Sequence, residues 1–455
     1  MNRLGACVAG LGCLAAACSP TELPPLGEVV IHVDTDAPLR PAAGELGPDD
    51  PLPLFDRLRI DVVDPRGACD GCTREFDVFA SAEPLSFGLV LPPHRTGFVA
   101  RARLFQSVVD AVEPRADSSI DVTFALPGVD DEGTVDARVF LPTDAVAKPM
   151  GSLDAPLEPE LGKPAASLVG TWPGARRLAC AGAAEPGQVC VRGGAYWMGQ
   201  TDAVTASTIE GFVTERRLVV VSPFWIDRTE VTVGAVRPLR DRLPDSAIED
   251  WSGSETGSSP SDWCTFVSDG SRDALPLNCV TWPAARDLCA QRGASLPTEA
   301  QFEYAASAFT SQRYVWGRDD PECGDAVFEL GGFGGDGPLT TGACRPAGSI
   351  GGPLPPGSGE RDRLAIDGVD VVDLAGNLRE WVRDRLEPED SACWPVGVVT
   401  DPACEPAKPA SDERSTRGGA WANRGYALRA ALRAGFGSYV KEVTVGFRCV
   451  RAGAM

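Results

Sequence analysis

Between residues 29 and 145 the chain alternates apolar and polar positions with a period of two. Leu58, Ile60 and Val62 alternate with Arg59 and Asp61; Ala100, Ala102 and Leu104 with Arg101 and Arg103; Ile120, Val122 and Phe124 with Asp121 and Thr123. Val135, Ala137 and Val139 repeat the pattern, and stretches 29–33, 76–80 and 87–91 add three shorter runs. Alternation places every second side chain on one face of a strand, so seven runs with polar or Pro/Gly breaks predict an antiparallel β-sandwich of Ig-like size. Residues 146–179 carry Pro149, Gly151, Pro156, Pro159, Gly162, Pro164, Pro173 and Gly174 without periodicity, which predicts a linker.

Residues 180–455 read as a separate domain of mixed character, in which two helices are legible. One follows Thr281, with Pro283 in its first turn and Gly293 as its stop, and carries Ala284, Ala285, Leu288 and Cys289. The other starts at Thr298-Glu299-Ala300-Gln301, a capping box whose hydroxyl and amide satisfy free first-turn N–H groups. Behind it Phe302, Ala305, Ala306 and Phe309 fall on one face.

Composition narrows the function. The 455 residues hold 42 Lys+Arg against 64 Asp+Glu, a formal charge of −22, which repels nucleic acid and anionic membrane surfaces. The two Arg-Gly-Gly triplets at 192–194 and 417–419 therefore read as strand-entry glycines. The glycine-rich run 331–337 lacks the Lys-Ser/Thr of a phosphate loop, so no nucleotide is expected. The two histidines, His32 and His94, lie some sixty residues apart with no ligand spacing beside them; no His-based metal, haem or Ser-His-Asp site is expected.

The start of the chain has a charged tip and a short apolar run, followed by Leu14-Ala15-Ala16-Ala17-Cys18. This is too short for a permanent span and resembles a bacterial lipobox. It predicts a signal peptide over 1–17, lipidation of Cys18, a Pro-containing tether over 18–28, and a lipid-anchored place in the bacterial cell envelope, periplasmic or cell-surface. An oxidising compartment favours disulfides. Of 15 cysteines, Cys7 and Cys13 leave with the signal and Cys18 takes lipid, which leaves an even number. Close spacing suggests Cys69 with Cys72, Cys180 with Cys190, Cys264 with Cys279, Cys323 with Cys344 and Cys393 with Cys404; Cys289 and Cys449 are left over. Pro65, Gly67 and Gly71 place the Cys69/Cys72 pair on a turn, as a loop staple rather than a redox motif.

Six segments of the second domain occur in a recognisable order. They are Val191-Arg192-Gly193-Gly194-Ala195-Tyr196-Trp197-Met198-Gly199, Val221 to Thr232 through Asp227-Arg228-Thr229-Glu230, and Leu277-Asn278-Cys279-Val280-Thr281-Trp282. Leu296-Pro297-Thr298-Glu299-Ala300-Gln301-Phe302-Glu303-Tyr304, Asp373-Leu374-Ala375-Gly376-Asn377-Leu378-Arg379-Glu380-Trp381, and Arg417-Gly418-Gly419-Ala420-Trp421 complete the series, with Gly446-Phe447-Arg448-Cys449 at the close. Together they resemble the formylglycine-generating enzyme, or sulfatase-modifying factor, family. The resemblance implies a compact fold related to C-type lectins, with little regular secondary structure, bound calcium, and a disulfide between Cys289 and Cys449.

In that family two cysteines after the Arg-Gly-Gly-Ser-Trp-like strand hold copper, a pairing that suits soft thiolates. Here Asn423 to Ala427, in the run Trp421-Ala422-Asn423-Arg424-Gly425-Tyr426-Ala427-Leu428-Arg429, has no thiol, so no copper is expected and no catalytic residue carries over. The resemblance implies calcium on the side chains of Asp373 and Glu380 and the carbonyls of Gly376 and Leu378, against a plain acidic loop capped by Asn377; a second site would use Asp325 and Asp336. Trp421, Asn423, Arg424, Tyr426 and Arg429 are candidate ligand-binding residues. Arg417, Arg424, Arg429 and Arg433 either hold an anionic ligand or neutralise surplus carboxylates. The expected function is a non-catalytic binding module for a peptide, glycan or envelope protein; the alternatives are a divergent enzyme of the same family and a structural spacer.

Overall fold

The structure is a computed structural model that describes residues 27–64, 67–91, 96–107, 114–130, 133–164, 166–199, 216–254, 259–334, 337–340, 342–388 and 390–453; of 67–71 and 332–340 it describes the backbone. The signal, Cys18, most of the tether, His94 and Asp336 lie outside the described residues. Among the described residues no helix is long and apolar enough to cross a membrane.

The chain is mostly β-sheet with few helices. The seven alternating runs become β1 (Glu28–Thr35), β2 (Arg57–Asp64), β3 (Gly67–Asp77), β4 (Leu85–Val90), β5 (Val99–Phe105), β6 (Ser119–Ala125) and β7 (Thr134–Leu141). They form two four-stranded sheets, β4-β1-β7-β8 and β3-β2-β5-β6, where β8 is Glu160–Leu161. Val29, Ile31, Leu58, Ile60, Ala100, Ala102, Ile120, Phe124, Ala137 and Leu141 from both sheets share one core. At about 1.5–3 kcal/mol for each large side chain withdrawn from water, this shared face is what keeps the two sheets together.

Three expectations need correction. The sheets are not wholly antiparallel: β1 pairs with β7 in parallel from Glu28↔Thr134 to Thr35↔Leu141. A parallel pair needs a long connection, and the five strands between supply it. Of the stretch 76–80 only Phe76 and Asp77 belong to β3, of which they are the end; β3 pairs with β2 across a register shift opposite Asp61–Val63, so Cys69 and Cys72 lie in a strand rather than on a turn. Residues 146–179 do not hang free. Thr123 N–H donates to Met150 O at 2.8 Å and Ala125 N–H to Leu157 O at 2.8 Å, so this segment supplies the hydrogen bonds that the edge strand β6 would otherwise lack.

The second region contains β9 (Gln188–Val191), β10 (Gly194–Met198), β11 (Arg217–Val221) and β12 (Phe224–Asp227), then helices α1 (Val233–Val236), α2 (Trp282–Gln291) and α3 (Glu299–Ala306). Strands β13 (Gly332–Gly334), β14 (Gly337–Thr340), β15 (Arg363–Ile366), β16 (Val369–Val372), β17 (Arg379–Arg385) and β18 (Val399–Thr400) follow. Then come β19 (Glu413–Arg417), β20 (Ala434–Gly437), β21 (Val445–Gly446) and β22 (Val450–Ala452). The sheet that positions the site is β20-β19-β17-β21. Both helices begin where the sequence places them: the Thr281 hydroxyl accepts from Ala284 N–H, and Thr298 and Gln301 close the capping box. Trp282 at the head of α2 donates to Val382 O at 2.7 Å while Trp381 donates to Val280 O at 2.9 Å, a reciprocal tie that fixes α2 against β17.

Bonds Cys180–Cys190, Cys264–Cys279, Cys289–Cys449, Cys323–Cys344 and Cys393–Cys404 are present. Cys72 is also disulfide-bonded, while the Cys69 side chain lies outside the described ones. The two regions meet at Trp197, which donates to Leu54 O at 2.7 Å, packs edge-on against Phe55 and joins the core of the N-terminal sheets.

Candidate functional site

The stretch that follows β19 turns at Gly418 and Gly419, with φ of 96° and 75°, into a 3-10 turn at Gly425–Leu428. A Cβ at Gly419 would stand 2.6 Å from Ala427 O, so a side chain there would push this turn away from β19. Trp421 is fully buried, stacks on Trp263 at 6.1 Å and donates its indole N–H to Val443 O at 3.2 Å. It is a wall of the region, with no free face for a ligand. Asn423 is half-buried, and its Oδ1 accepts from Arg379 Nε at 3.1 Å. Arg424 and Tyr426 are exposed, whereas Ala427 is buried. Cys404 and Cys449 bracket the stretch and both are disulfide-bonded, so no thiolate is available to it from either side.

Two of the four arginines named as candidate anion ligands are already neutralised. Arg417 donates to Glu299 Oε2 from Nη2 at 2.8 Å and to Glu303 Oε2 from Nη1 at 2.9 Å; Arg433 donates to Glu299 from Nε at 2.6 Å and Nη2 at 2.8 Å. Glu299 and Glu303 stand one turn apart on α3, so one helix face presents both carboxylates to the strand. Burial pushes the Glu299 carboxyl up, but Arg433 and Arg417 outweigh it and hold it at about 2. Asp384 accepts from Glu299 N–H at 2.9 Å and Cys404 N–H at 2.7 Å, and burial with the Glu299 charge pushes it up to about 7. Of the remaining pair, Arg429 has Nε and Nη1 buried without acceptors and bonds Tyr314.

A second buried cluster surrounds Arg448. Its Nε lies 2.9 and 2.8 Å from the two Glu380 oxygens, and its Nη2 donates to Glu380 Oε1 at 2.6 Å, Val372 O at 2.9 Å and Asp373 O at 2.8 Å. Three more carboxylates face backbone N–H groups. Glu230 accepts from Leu378 N–H and the Asn377 amide at 2.9 Å each; Asp362 from Leu374 N–H at 3.0 Å and Ala375 N–H at 2.9 Å; Asp373 from Gly357 N–H at 2.6 Å. Burial, then the Asp373 and Glu380 charges, push Glu230 well up; burial and Asp373 push Asp362 to about 7; burial pushes Asp373 to about 6.

This geometry does not fit the calcium set read from the sequence. Both Glu380 oxygens are committed to Arg448, and Asp373 uses its carbonyl for Arg448 and a side-chain oxygen for Gly357 N–H. Among the described residues no group of three or more His, Cys, Asp or Glu side chains is arranged to hold a metal. Asp325 Oδ2 instead accepts from Glu322 N–H at 3.0 Å and Arg361 Nη1 at 3.3 Å. The acidic residues of this turn organise the backbone, since hard carboxylate oxygens accept N–H bonds as readily as they ligate a cation.

Arg379 was not among the candidates. It opens β17, where its N–H donates to Thr444 O at 2.9 Å, and its side chain is 8% exposed. Nη1 is buried with no acceptor, and burial pushes the guanidinium down to about 10 with Tyr426 the one ionisable group acting against that. The sequence signal was an arginine inside an otherwise apolar motif beside Glu380; nothing in spacing showed that Glu380 would pair with Arg448 and leave Arg379 without an acid.

Comparison with known proteins supports the assignment made by the motifs. A family model described as the sulfatase-modifying factor enzyme 1-like domain matches residues 177–453. The formylglycine-generating enzyme of Mycobacterium tuberculosis is 29% identical over 194 residues, which are 39% of this chain and 58% of that enzyme. The match thus spans under two thirds of that relative's length. Among solved structures, PvdO from Pseudomonas aeruginosa is 19% identical with a TM-score of 0.43, covering 59% of this chain and all of that one. CarF is 17% identical with a TM-score of 0.34, covering 58% of this chain and 97% of that one. The chain belongs, through its C-terminal region, to the sulfatase-modifying factor enzyme 1-like domain family.

Proposed function

We propose that this is a lipid-anchored protein of the bacterial cell envelope in which a β-sandwich carries a sulfatase-modifying-factor-like domain acting as a non-catalytic binding module for a peptide, glycan or protein. The observation that carries this reading is the content of the stretch from Trp421 to Leu428. It has no cysteine, and both flanking cysteines are oxidised in bridges. Copper(I) needs soft ligands, and an Asn amide, a Gly and an Ala offer none. Trp421 and Asn423 are themselves tied into the fold through Trp263, Val443 and Arg379, which suits a scaffold kept for its surface.

The test is direct. Purified mature protein incubated with a sulfatase-type peptide, copper and oxygen should leave the peptide cysteine intact by mass spectrometry. Aldehyde formation in amounts stoichiometric with or above the protein would overturn the reading in favour of a divergent enzyme of this family.

A further inference from the structure

We propose that Arg379, held through Nε by Asn423, is the floor of a binding site for a single carboxylate. The inference rests on reading this region as a binding surface and names the chemistry of what it binds.

Arg417, Arg433 and Arg448 each meet a carboxylate oxygen within 3 Å. Arg379 is nine-tenths buried and meets none: among the described residues the one acceptor of its side chain is the neutral Asn423 amide oxygen at 3.1 Å. A second buried arginine short of acceptors, Arg216, differs because it lies 4.9 Å over the Trp197 ring and has Asp117 and Asp56 acting on it. With Nε engaged, Nη1 of Arg379 is buried without an acceptor, so an incoming carboxylate must reach it past the atoms that cover it, and the Nη1/Nη2 edge then offers two parallel N–H donors to its two oxygens. Lysine could not do this, being a point charge. Tyr426, 46% exposed, acts electrostatically on the guanidinium. The formal charge of −22 disfavours a dianion such as sulfate more than a monoanion such as a single carboxylate.

The carboxylate could be a chain terminus or an acidic side chain, and the probes separate these. The full purified chain is titrated calorimetrically with N-acetylglycylglycine, with its C-terminal amide, with N-acetylaspartyl amide and with inorganic sulfate. Saturable binding of at least one carboxylate probe is expected, at least tenfold tighter than the amide and than sulfate, and whichever probe wins names the source. Arg379→Met should weaken that binding at least tenfold, and Arg379→Lys, which keeps the charge and loses the fork, should weaken it comparably. In anion-free buffer Arg379→Met should melt no lower than the parent chain, because it removes a buried cation without an acid. Equal affinity for acid and amide, sulfate bound as tightly as the acid, undiminished binding by Arg379→Met, or a lowered midpoint in that variant would each overturn the proposal. Aldehyde formation in the copper assay would overturn the binding-module reading and leave this titration to be judged by itself.

Discussion

Arg417 and Arg448 are both fully buried, yet the charges around them follow opposite plans. Around Arg417 two arginines pair with two acids, Glu299 and Glu303, while a third acid, Asp384, accepts from backbone N–H groups, and the ion pairs tie the helix α3 to β19 and to Arg433 just ahead of β20. Around Arg448 one arginine serves four acids, and those not paired with it are held by N–H groups of the turn at residues 374–378 and of Gly357. The first cluster joins elements; the second shapes a turn. The difference teaches that an acidic motif in this fold need not be a metal motif. A carboxylate surplus can be absorbed by backbone donors, provided that burial is allowed to push some of the acids toward neutrality.

The largest expected effect is at the single arginine. Arg448→Met leaves Glu380 buried without its partner and strips acceptor carbonyls at residues 227, 372 and 373 of their donor. Breaking a buried pair from one side costs about 3–5 kcal/mol, which urea unfolding would read as a lowered midpoint at constant slope. Adding Glu380→Leu should recover a good part of that loss. A double variant no better than the single one would show that Arg448 acts through the carbonyls rather than through the pair.

Glu299→Gln tests the other plan and should cost less, about 2–3 kcal/mol, on the low side of what breaking a buried pair costs. Arg417 keeps Glu303, and the glutamine oxygen still accepts one bond. Removing the Glu299 charge also relieves Asp384, which that charge pushes up. A loss as large as that of Arg448→Met would mean that the two clusters do not differ in how they share charge.

How much of this was legible in the sequence follows from how local each signal is. Thr298 with Gln301, and Thr281 with Pro283, carry their own helix starts within four residues, so α2 and α3 could be placed from the chain alone. The alternating runs located the strands but not their order, because pairing β1 with β7 in parallel depends on where the chain returns a hundred residues later. Disulfide partners close in sequence were similarly accessible. Charge partners were not: Glu380 and Arg448 are 68 residues apart, and Glu299 is 118 from Arg417 and 134 from Arg433. The resemblance alone therefore offered Glu380 to calcium with no sign that Arg448 takes both its oxygens, and residue types left Arg417 and Arg433 open for ligands although acids already occupy them, and hid Arg379, whose interest lies in a partner it lacks.

The smallest effect sharpens the comparison most, because it depends on pH rather than on a broken contact. Glu299 is held at about 2 in the fold against 4.5 in the open chain, so its contribution is present above pH 4.5 and is lost as pH falls toward 2. Asp384 runs the other way: its folded value of about 7 exceeds 3.8, so the folded chain holds an extra proton between pH 4 and 7 and loses stability as pH rises through that window. Asp384→Asn mimics the protonated form. At pH 5 it should sit within about 1 kcal/mol of the parent chain, since an uncharged acceptor replaces an uncharged acid. By pH 8 the parent alone bears the buried charge, and between pH 6 and pH 8 the balance should move toward the variant by about 1–2 kcal/mol, roughly the one pKa unit between pH 6 and the folded value of about 7. Urea midpoints measured for both proteins at pH 5, 6, 7 and 8 would converge on this or refute it. Parallel curves would mean that Asp384 stays ionised throughout, and that the cluster around Arg417 carries all of its acids charged.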